Sequence, residues 1–286
     1  MDLSVIIPAY NEAAGITSVL ERLRPVLGQL SVTWELIVVD DGSTDRTSEI
    51  LRGVDWIRLI EHPVNLGYGA SLKTGIRSSE APWVAILDAD GTYPEQMLPE
   101  LVRMSADADM VVAARTGASV HIPLIRRPAK RFITRFAGYI AGRKIPDLNS
   151  GMRVMRRSVV EKFFHLLPDG FSFTTTITLA MLVDGYRVKY HPIDYHKRSG
   201  KSKIRPIYDT MNFLSLITRT GLYFRPLKVF FPVSLVLFLF GLLVLFGSWH
   251  VFGRIMDSSA TILIMTSVQF LALGLLAELV VRRSGR

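Results

Sequence analysis

Asp88 and Asp90 are separated by a single residue and directly follow an apolar run at residues 83–87. The run has the composition of a buried strand in a parallel sheet, and such sheets bind ligands beyond the carboxyl ends of their strands. Mg²⁺ and Mn²⁺ prefer oxygen ligands, and carboxylates commonly bind them together with the phosphates of a substrate. The pair therefore predicts a divalent-cation site. Taken alone, such a pair is more often a solvated loop feature, so its neighbours decide the interpretation.

Two more predicted strands end in polar turns. Apolar residues at 3–8 lead into a turn at 10–12, and apolar residues at 35–39 lead into an acidic turn at 40–45. Because parallel strands end at the same edge of a sheet, the three polar ends are expected to lie together. An ordinary turn explains the glycine and hydroxyl residues at 40–45, but it does not explain two adjacent aspartates beside the other polar strand ends.

These turns belong to a larger set of motifs, which in chain order comprises residues 5–12, 38–45, 65–70, 88–94 and 149–153. As an ensemble the set resembles glycosyltransferase family 2, over roughly the first 205 residues. Within that family the chain looks like the polyprenyl-phosphate glycosyltransferases, the group that contains dolichyl-phosphate mannose synthase and its bacterial glucosyl relatives. The resemblance implies an α/β fold, a type A glycosyltransferase nucleotide-binding domain with a mixed, mainly parallel sheet.

The resemblance also implies two substrates, a nucleotide sugar and a polyprenyl phosphate such as undecaprenyl or dolichyl phosphate. An oxygen of the lipid phosphate would attack the anomeric carbon of the sugar, and one direct displacement would invert its configuration. Asp88 and Asp90 would hold Mg²⁺ or Mn²⁺ beside the leaving diphosphate. By resemblance Asp90 is the more direct ligand and Asp88 contacts the metal or the ribose, whereas the residues alone do not rank them. Thr92 stands where many relatives have a glutamine, which leaves the third protein ligand open.

The resemblance assigns a nucleoside pocket to the ends of the first two strands. Its residues are Pro8, Ala9, Tyr10 and Glu12, with Asp40 or Asp41 accepting a hydrogen bond from the base or the ribose. Glycines further along are interpreted as close packing around a turn rather than as a phosphate loop, because their spacing is a weak motif: Gly67, Gly69 and Gly75.

Several of these residues also have purely structural interpretations. Tyr10 is equally typical of a core aromatic residue, and Glu12 of a residue that favours a helix N-terminus through the helix dipole. The hydroxyl of Ser43 or Thr44 is placed to cap the helix that follows.

Cations are needed on both sides of the reaction. Arg198, Lys201 and Lys203 lie in one short segment and are candidates to neutralise the diphosphate as a closing loop, the alternative being a basic linker next to the membrane. Arg115 and Arg153 match arginines that lie near the lipid phosphate in related enzymes. Arg153 is equally well explained as a structural anchor for its loop.

No general base is expected. Processive members of the family carry a Glu-Asp pair and a later Gln-x-x-Arg-Trp motif, and neither occurs here. A phosphate acceptor is already anionic near neutral pH and needs no strong base. Asp147 and Asp169 are the nearest carboxylates, and both are more simply turn residues. The alternative functions are a membrane transferase acting on a lipid headgroup or a sugar hydroxyl, and a non-catalytic membrane scaffold.

The C-terminal part of the chain has a different composition. Residues 229–252 carry no charge and residues 259–281 carry only Glu278, so each segment is long enough to span a bilayer as a helix. Basic residues flank the pair on its outer sides, which predicts an integral protein of the cell membrane with both termini and the catalytic domain in the cytoplasm. The expected domains are a catalytic domain at 1–204, an interfacial amphipathic helix at 205–228 and a transmembrane hairpin at 229–286.

The formal net charge of +9 is expected to favour binding to an anionic membrane surface rather than to nucleic acid, because basic residues at 126–144 are interleaved with apolar ones. The expected partners are therefore the lipid bilayer, the nucleotide-sugar donor and the polyprenyl phosphate acceptor, with no nucleic acid. The resemblance also suggests a homo-oligomer. The chain contains no cysteine, which excludes disulfides and thiol catalysis.

Overall fold

The computed structural model describes residues 1–116, 127–170, 172–194, 206–252 and 257–283. The chain divides into two compact units, Met1–Phe213 and Leu214–Arg286. In the described part of the first unit, seven strands form one sheet: β1 (Leu3–Ala9), β2 (Trp34–Asp40), β3 (Arg58–Glu61), β4 (Trp83–Ile86), β5 (Met110–Ala114), β6 (Arg153–Arg156) and β7 (Val188–Pro192).

The helices of the described residues alternate with these strands and then continue beyond them. They are α1 (Ile16–Gly28), α2 (Thr47–Arg52), α3 (Tyr68–Ser78), α4 (Leu98–Met104), α5 (Arg127–Ala141), α6 (Arg157–Lys162), α7 (Phe173–Val183), α8 (Pro206–Phe224), α9 (Pro226–Phe252) and α10 (Asp257–Arg283).

The sheet has the strand order β3-β2-β1-β4-β6-β5-β7. Strand β6 runs antiparallel to both of its neighbours, β4 and β5, whereas the other paired strands are parallel. The expected mixed, mainly parallel sheet is therefore confirmed. The strands expected at 3–8, 35–39 and 83–87 correspond to β1, β2 and β4, with ends that differ by a residue.

Strand β1 lies between β2 and β4, and its register sets the ligand-binding edge. Every residue of β1 is buried, as are the last five of β2, because apolar and β-branched residues fill both strands. Ala9 pairs with Asp40 at the end of the β1–β2 ladder. The amide of Asp41 donates to the carbonyl of Ala9 at 2.8 Å, and the amide of Leu87 donates to the carbonyl of Ile6 at 3.1 Å. The three polar strand ends therefore share one edge, as expected.

The second unit contains α9 and α10, which pack against each other as a hairpin. The hydroxyl of Ser234 donates to the carbonyl of Ser267 at 2.8 Å, and the rings of Phe230 and Phe270 lie 6.1 Å apart. Both helices are long and apolar enough to cross a membrane, over Pro226–Ser248 and Ser258–Arg283.

These helices include the expected spans at 229–252 and 259–281. Helix α8 lies within the 205–228 segment. The interfacial position of that segment and the domain limits stay predictions.

Candidate active site

The turns after β1 and β2 are fastened to each other through Asn11. This residue has a φ of 56°, a left-handed conformation that asparagine tolerates better than most residues. Its side-chain oxygen accepts the amide of Thr44 at 2.8 Å, and its own amide donates to the hydroxyl of Ser43 at 3.0 Å. The amide of Glu12 donates to the hydroxyl of Thr47 at 2.9 Å. The two predicted donor-binding turns are thus held as one rigid edge.

The structure places the predicted nucleoside residues along this edge with different exposures. Pro8 and Ala9 are buried inside β1, whereas 36% of Tyr10 is exposed, so Tyr10 is not a core aromatic residue. A cavity of about 470 Å³ opens beside the ends of β2 and β3. It is lined by Asp40, Gly42, Ser43, Thr44, Ser48, Arg52, Glu61, His62 and Pro63.

Asp40 belongs to the wall of this cavity, and neighbouring hydroxyls fix its carboxylate. The hydroxyls of Ser43 and Ser48 both donate to it. The expected role of Ser43 or Thr44 as a helix cap is wrong, because α2 begins only at Thr47, after Arg46, and has no side-chain cap. The hydroxyl of Ser43 is used instead to join Asp40 to the turn at Asn11.

Asp41 makes a different set of contacts from Asp40. Its carboxylate accepts hydrogen bonds from His62 Nδ1 at 2.7 Å, from the amide of Leu66 at 3.0 Å and from the amide of Gly67 at 2.8 Å. Burial alone would raise the pKa of Asp41, but these hydrogen bonds lower it below its ordinary value. In this structure Asp41 fastens the loop before α3, and only Asp40 lines the cavity.

The two carboxylates after β4 are oriented by their neighbours. The phenol of Tyr68 donates to Oδ1 of Asp88 at 2.8 Å. Oδ1 of Asp90 accepts the amide of Thr92 at 3.1 Å and its hydroxyl at 2.6 Å. Burial and the negative charge of Asp90 raise the pKa of Asp88 to about 6.

This donor set fits a hard divalent cation. Each aspartate is partly exposed, and a bound cation would offset the repulsion that raises the pKa of Asp88. Across the described residues, no cluster of three or more His, Cys, Asp or Glu side chains is arranged to hold a metal. Two carboxylates leave room for substrate phosphates and water, which is the usual arrangement for Mg²⁺.

Gly151 packs directly against Asp88 from the side of β6. A Cβ atom at this position would clash first with Oδ2 of Asp88 and would lie 2.5 Å from its Cγ, so a larger residue requires the carboxylate or the backbone to move. The backbone here cannot easily retreat, because the amide of Gly151 donates to the phenol of Tyr93 at 2.6 Å and the hydroxyl of Ser150 donates to the carbonyl of Ala113 at 2.5 Å.

Arg115 extends from the end of β5 and is oriented by a buried carboxylate. Its Nε donates to Asp147 Oδ2 at 2.7 Å and its Nη2 to Asp147 Oδ1 at 3.0 Å. Burial would raise the pKa of Asp147, but Arg115 holds it below its ordinary value. Asp147 is therefore a partner of Arg115 and not an available base. Asp169 forms an ion pair with Lys73 at 2.7 Å.

Arg153 is the first residue of β6, and its side chain is fully buried. The guanidinium donates to the carbonyl of Ser150, to the carbonyl of Thr174 at 3.1 Å and to the hydroxyl of Thr178 at 2.9 Å. These contacts connect the strand to α7 and favour the anchor interpretation over direct contact with a lipid phosphate. Arg198, Lys201 and Lys203 lie outside the described residues.

Three residues that sequence reasoning did not single out complete the surroundings of Asp88, namely Tyr68, Tyr93 and Gly151. All three lie in motifs that indicated the family, but their contacts with Asp88 or with each other join distant parts of the chain. The close packing expected of the glycines is confirmed. Added Cβ atoms at Gly67 and Gly75 would lie 2.7 Å from the carbonyl oxygen of Asp169 and 2.5 Å from the side chain of Ile6.

Residues 4–164, more than half of the chain, match the sequence profile of Glycosyl transferase family 2. The chain belongs to this family. Residues 225–282 also match the GtrB C-terminal hairpin, in agreement with the α9–α10 pair. The family and the enzyme class expected from the motifs, a glycosyltransferase, are confirmed.

Relatives within the family show which members the chain is similar to. A dolichyl-phosphate hexose transferase of Haloferax volcanii is 32% identical over 207 residues, which cover 72% of this chain and 87% of the relative. An undecaprenyl-phosphate 4-deoxy-4-formamido-L-arabinose transferase of Photorhabdus laumondii is 28% identical over 304 residues, with 98% and 89% covered. The chain spans 51% of the length of a third relative, the low-salt glycan biosynthesis hexosyltransferase Agl6 of H. volcanii, which is 30% identical.

A solved structure confirms the fold. The crystal structure of glucosyl-3-phosphoglycerate synthase from Mycobacterium tuberculosis, in complex with Mn²⁺, uridine diphosphate and phosphoglyceric acid, matches with a TM-score of 0.57. The two chains are 20% identical, and the match covers 77% of this chain and 78% of the neighbour. The type A glycosyltransferase fold expected from the resemblance is therefore present.

Proposed function

We propose that this family-2 glycosyltransferase moves a sugar from a nucleotide sugar to polyprenyl phosphate, with inversion at the anomeric carbon and in the presence of Mg²⁺ or Mn²⁺. The observation that carries the proposal is the pair Asp88 and Asp90 at the ligand-binding edge of a chain that also has two helices apolar enough to cross a membrane. The names of two relatives, which specify dolichyl and undecaprenyl phosphate, support the acceptor. The Mn²⁺ and uridine diphosphate of the solved neighbour support the cofactor and the donor class.

The donor would bind across the edge formed by β1, β2 and β4. Tyr10 and Glu12 would contact the nucleoside together with Asp40, while the buried Pro8 and Ala9 and the hydrogen-bonded Asp41 would support these residues from behind. A bound divalent cation supplies positive charge beside the diphosphate. Asp88 and Asp90 would hold that charge at the end of β4, where Tyr68 and Thr92 orient them.

The displacement needs cations more than it needs a base. An oxygen of the lipid phosphate would form a bond to the anomeric carbon while the bond from that carbon to the diphosphate breaks, and the electron pair leaves with the nucleoside diphosphate. Arg115 is proposed to attract the lipid phosphate, and Arg198, Lys201 and Lys203 to neutralise the leaving diphosphate. Arg153, which is fully buried, would act by positioning the turn before β6, which carries Gly151.

The helices α9 and α10 are proposed to form a transmembrane hairpin with both chain termini in the cytoplasm. The supporting observation is charge: Arg219, Arg225 and Lys228 precede the first span, and Arg282 and Arg283 lie at the end of the second. This orientation would bring the catalytic unit to the cytoplasmic face, where a lipid-borne acceptor is reached. Reporter fusions that place the C-terminus outside the cytoplasm would contradict it.

The test uses the full chain in membranes, with undecaprenyl phosphate and a panel of radiolabelled uridine- and guanosine-diphosphate sugars. We expect a labelled lipid whose formation requires the lipid phosphate, stops with EDTA and recovers with Mg²⁺ or Mn²⁺. Mild acid should release the label, because polyprenyl phosphosugars are acid-labile. The exposed-site variant Asp55→Asn should match wild type, since Asp55 lies on the surface away from the strand ends.

Two outcomes would overturn the proposed acceptor. An acid-stable product would indicate transfer to a sugar hydroxyl or a lipid headgroup. Equal labelling of free polyprenol would show that the phosphate is not the nucleophile. If no sugar is transferred from any donor while the protein still binds nucleotides, the non-catalytic scaffold would replace the enzyme.

A further inference from the structure

Asp88 is held between two neighbours from different parts of the chain, Gly151 before β6 and Tyr68 at the start of α3. On one side the backbone of Gly151 contacts the carboxylate and leaves no space for a side chain. On the other side the phenol of Tyr68 donates a hydrogen bond to Oδ1 at 2.8 Å. The contact with Gly151 prevents the carboxylate from moving towards β6, and the hydrogen bond selects one of its rotations. Of the two, only the hydrogen bond has a direction that can orient individual oxygen atoms.

Tyr68 is itself fixed, because it is the first residue of α3 and the start of this helix is bound on two sides. The carboxylate of Asp41 accepts a hydrogen bond from the amide of Gly67 at 2.8 Å, and the carbonyl of Asp169 accepts one from the amide of Ala70 at 2.9 Å. Gly67 lies so close to this carbonyl that a Cβ atom would be 2.7 Å from its oxygen. The backbone that carries Tyr68 is therefore fixed independently of Asp88.

We propose that Tyr68 is a positioning residue, which orients the carboxylate of Asp88 towards the divalent cation and thereby sets the affinity for that cation. The role rests on the proposed function, since it requires Asp88 to be a metal ligand. The hydrogen bond occupies one lone-pair direction of Oδ1 while Oδ2 lies nearest to the backbone of Gly151, so the carboxylate is held in one orientation. Hydrogen-bond partners of metal ligands typically contribute about 10- to 100-fold to metal affinity or activity. Asp90 is oriented by its own neighbour Thr92 and needs no help from Tyr68.

The test compares the full chain with Tyr68→Phe, which removes only the hydroxyl. Binding of Mn²⁺ alone is titrated by electron paramagnetic resonance of the free ion, without donor or acceptor. We expect the dissociation constant to rise about 10- to 100-fold. The matched control is Tyr186→Phe, which removes a phenol hydroxyl whose partner is Lys162, and it should bind Mn²⁺ like wild type. Thermal unfolding of all proteins checks that the substitutions leave the fold intact.

Two further measurements separate positioning from other roles. In the background of Asp88→Asn, Tyr68→Phe should have little additional effect, because both changes interrupt the same interaction. In the transfer assay, saturating Mn²⁺ should restore the turnover of Tyr68→Phe to within about twofold of wild type. This split between metal affinity and turnover is expected only if the phenol acts through the metal ligand.

The inference is overturned if Tyr68→Phe binds Mn²⁺ as tightly as wild type, or if its effect adds fully to that of Asp88→Asn. It is also overturned if saturating Mn²⁺ fails to restore turnover, because the phenol would then contact the reacting groups directly. Wild-type protein that binds Mn²⁺ but transfers no sugar would contradict the proposed function and leave the positioning role standing. Wild-type protein that binds no Mn²⁺ would overturn the metal assignment and the positioning role together.

Discussion

Replacing Gly151 by alanine is expected to displace the carboxylate of Asp88 and to reduce transfer sharply. The new methyl carbon would lie 2.5 Å from Cγ and 2.6 Å from Oδ1, whereas ordinary contacts begin at 3.4 Å. The carboxylate must therefore move by about 0.9 Å or more, the difference between 3.4 and 2.5 Å. The glycine cannot move instead without breaking its hydrogen bond to Tyr93 or the contacts of the neighbouring Ser150.

A displacement of about 1 Å in a reacting or ligating group can cost roughly 100-fold in rate. We expect Gly151→Ala to lower turnover by about this factor and to weaken Mn²⁺ binding, measured by the transfer assay and by titration of free Mn²⁺. Overpacking of this kind also costs about 1–3 kcal/mol of stability, so thermal unfolding should show a lower midpoint but a cooperative transition.

The control is Gly28→Ala, at the C-terminal end of α1, where an added Cβ would have no neighbour within 4 Å. This variant should match wild type in turnover, Mn²⁺ affinity and unfolding. The reasoning is refuted if Gly151→Ala folds cooperatively and retains wild-type turnover and Mn²⁺ affinity. In that case the contact between Gly151 and Asp88 does not set the position of the carboxylate.

Four other substitutions test separate parts of the site. Asp90→Asn should abolish metal-dependent transfer in a folded protein, and near-normal turnover at saturating Mg²⁺ or Mn²⁺ would contradict the metal assignment. Asp41→Asn should lower the free energy of unfolding by about 1.5–3 kcal/mol, because hydrogen bonds to a buried charged group are lost. The pKa of Asp41 is lowered in the folded state, so chemical denaturation should show the lower stability of the variant at pH values above the ordinary carboxyl pKa of about 3.9. The difference in stability between variant and wild type should disappear at lower pH. A difference that persists at low pH would refute the charge explanation. Arg198→Ala and Lys201→Ala should each lower turnover about ten- to a hundredfold at saturating donor, with a smaller effect on donor binding, and an unchanged rate with a short soluble acceptor would eliminate the leaving-group role.

The strands that position the donor site were predictable because their signal is local. Residues 3–8, 35–39 and 83–87 are short apolar runs that end in polar turns, and each became a strand of the parallel half. Strands β3, β6 and β7 were not predicted. Each has only four or five residues and contains arginine, lysine or histidine among its apolar positions. Their strand structure depends on pairing with neighbours that are distant in sequence.

The two adjacent aspartates at the end of β2 show a second limit of prediction from sequence. The motif at residues 40–45 assigned Asp40 or Asp41 to the donor, and it contains nothing that distinguishes them. Successive residues at the end of a strand point to opposite sides. Asp40 therefore reaches the cavity wall, while Asp41 reaches the amides of Leu66 and Gly67. Such a distinction requires the register of β1 and β2, which composition does not supply.

Arg153 shows where the motifs left two interpretations open. The resemblance placed it near the lipid phosphate, with a structural anchor for its loop as the equal alternative, and arginine is almost never fully buried unless it is paired. In the structure, two backbone carbonyls and a hydroxyl from the turn before β6 and from α7 satisfy the guanidinium. The exceptions to ordinary residue preferences are concentrated here: the buried Arg153 and Asp41, the left-handed Asn11, and Gly151 pressed against Asp88. Because such exceptions cost stability, their concentration around Asp88 and the donor-binding turns is itself an argument that this edge is the site of function.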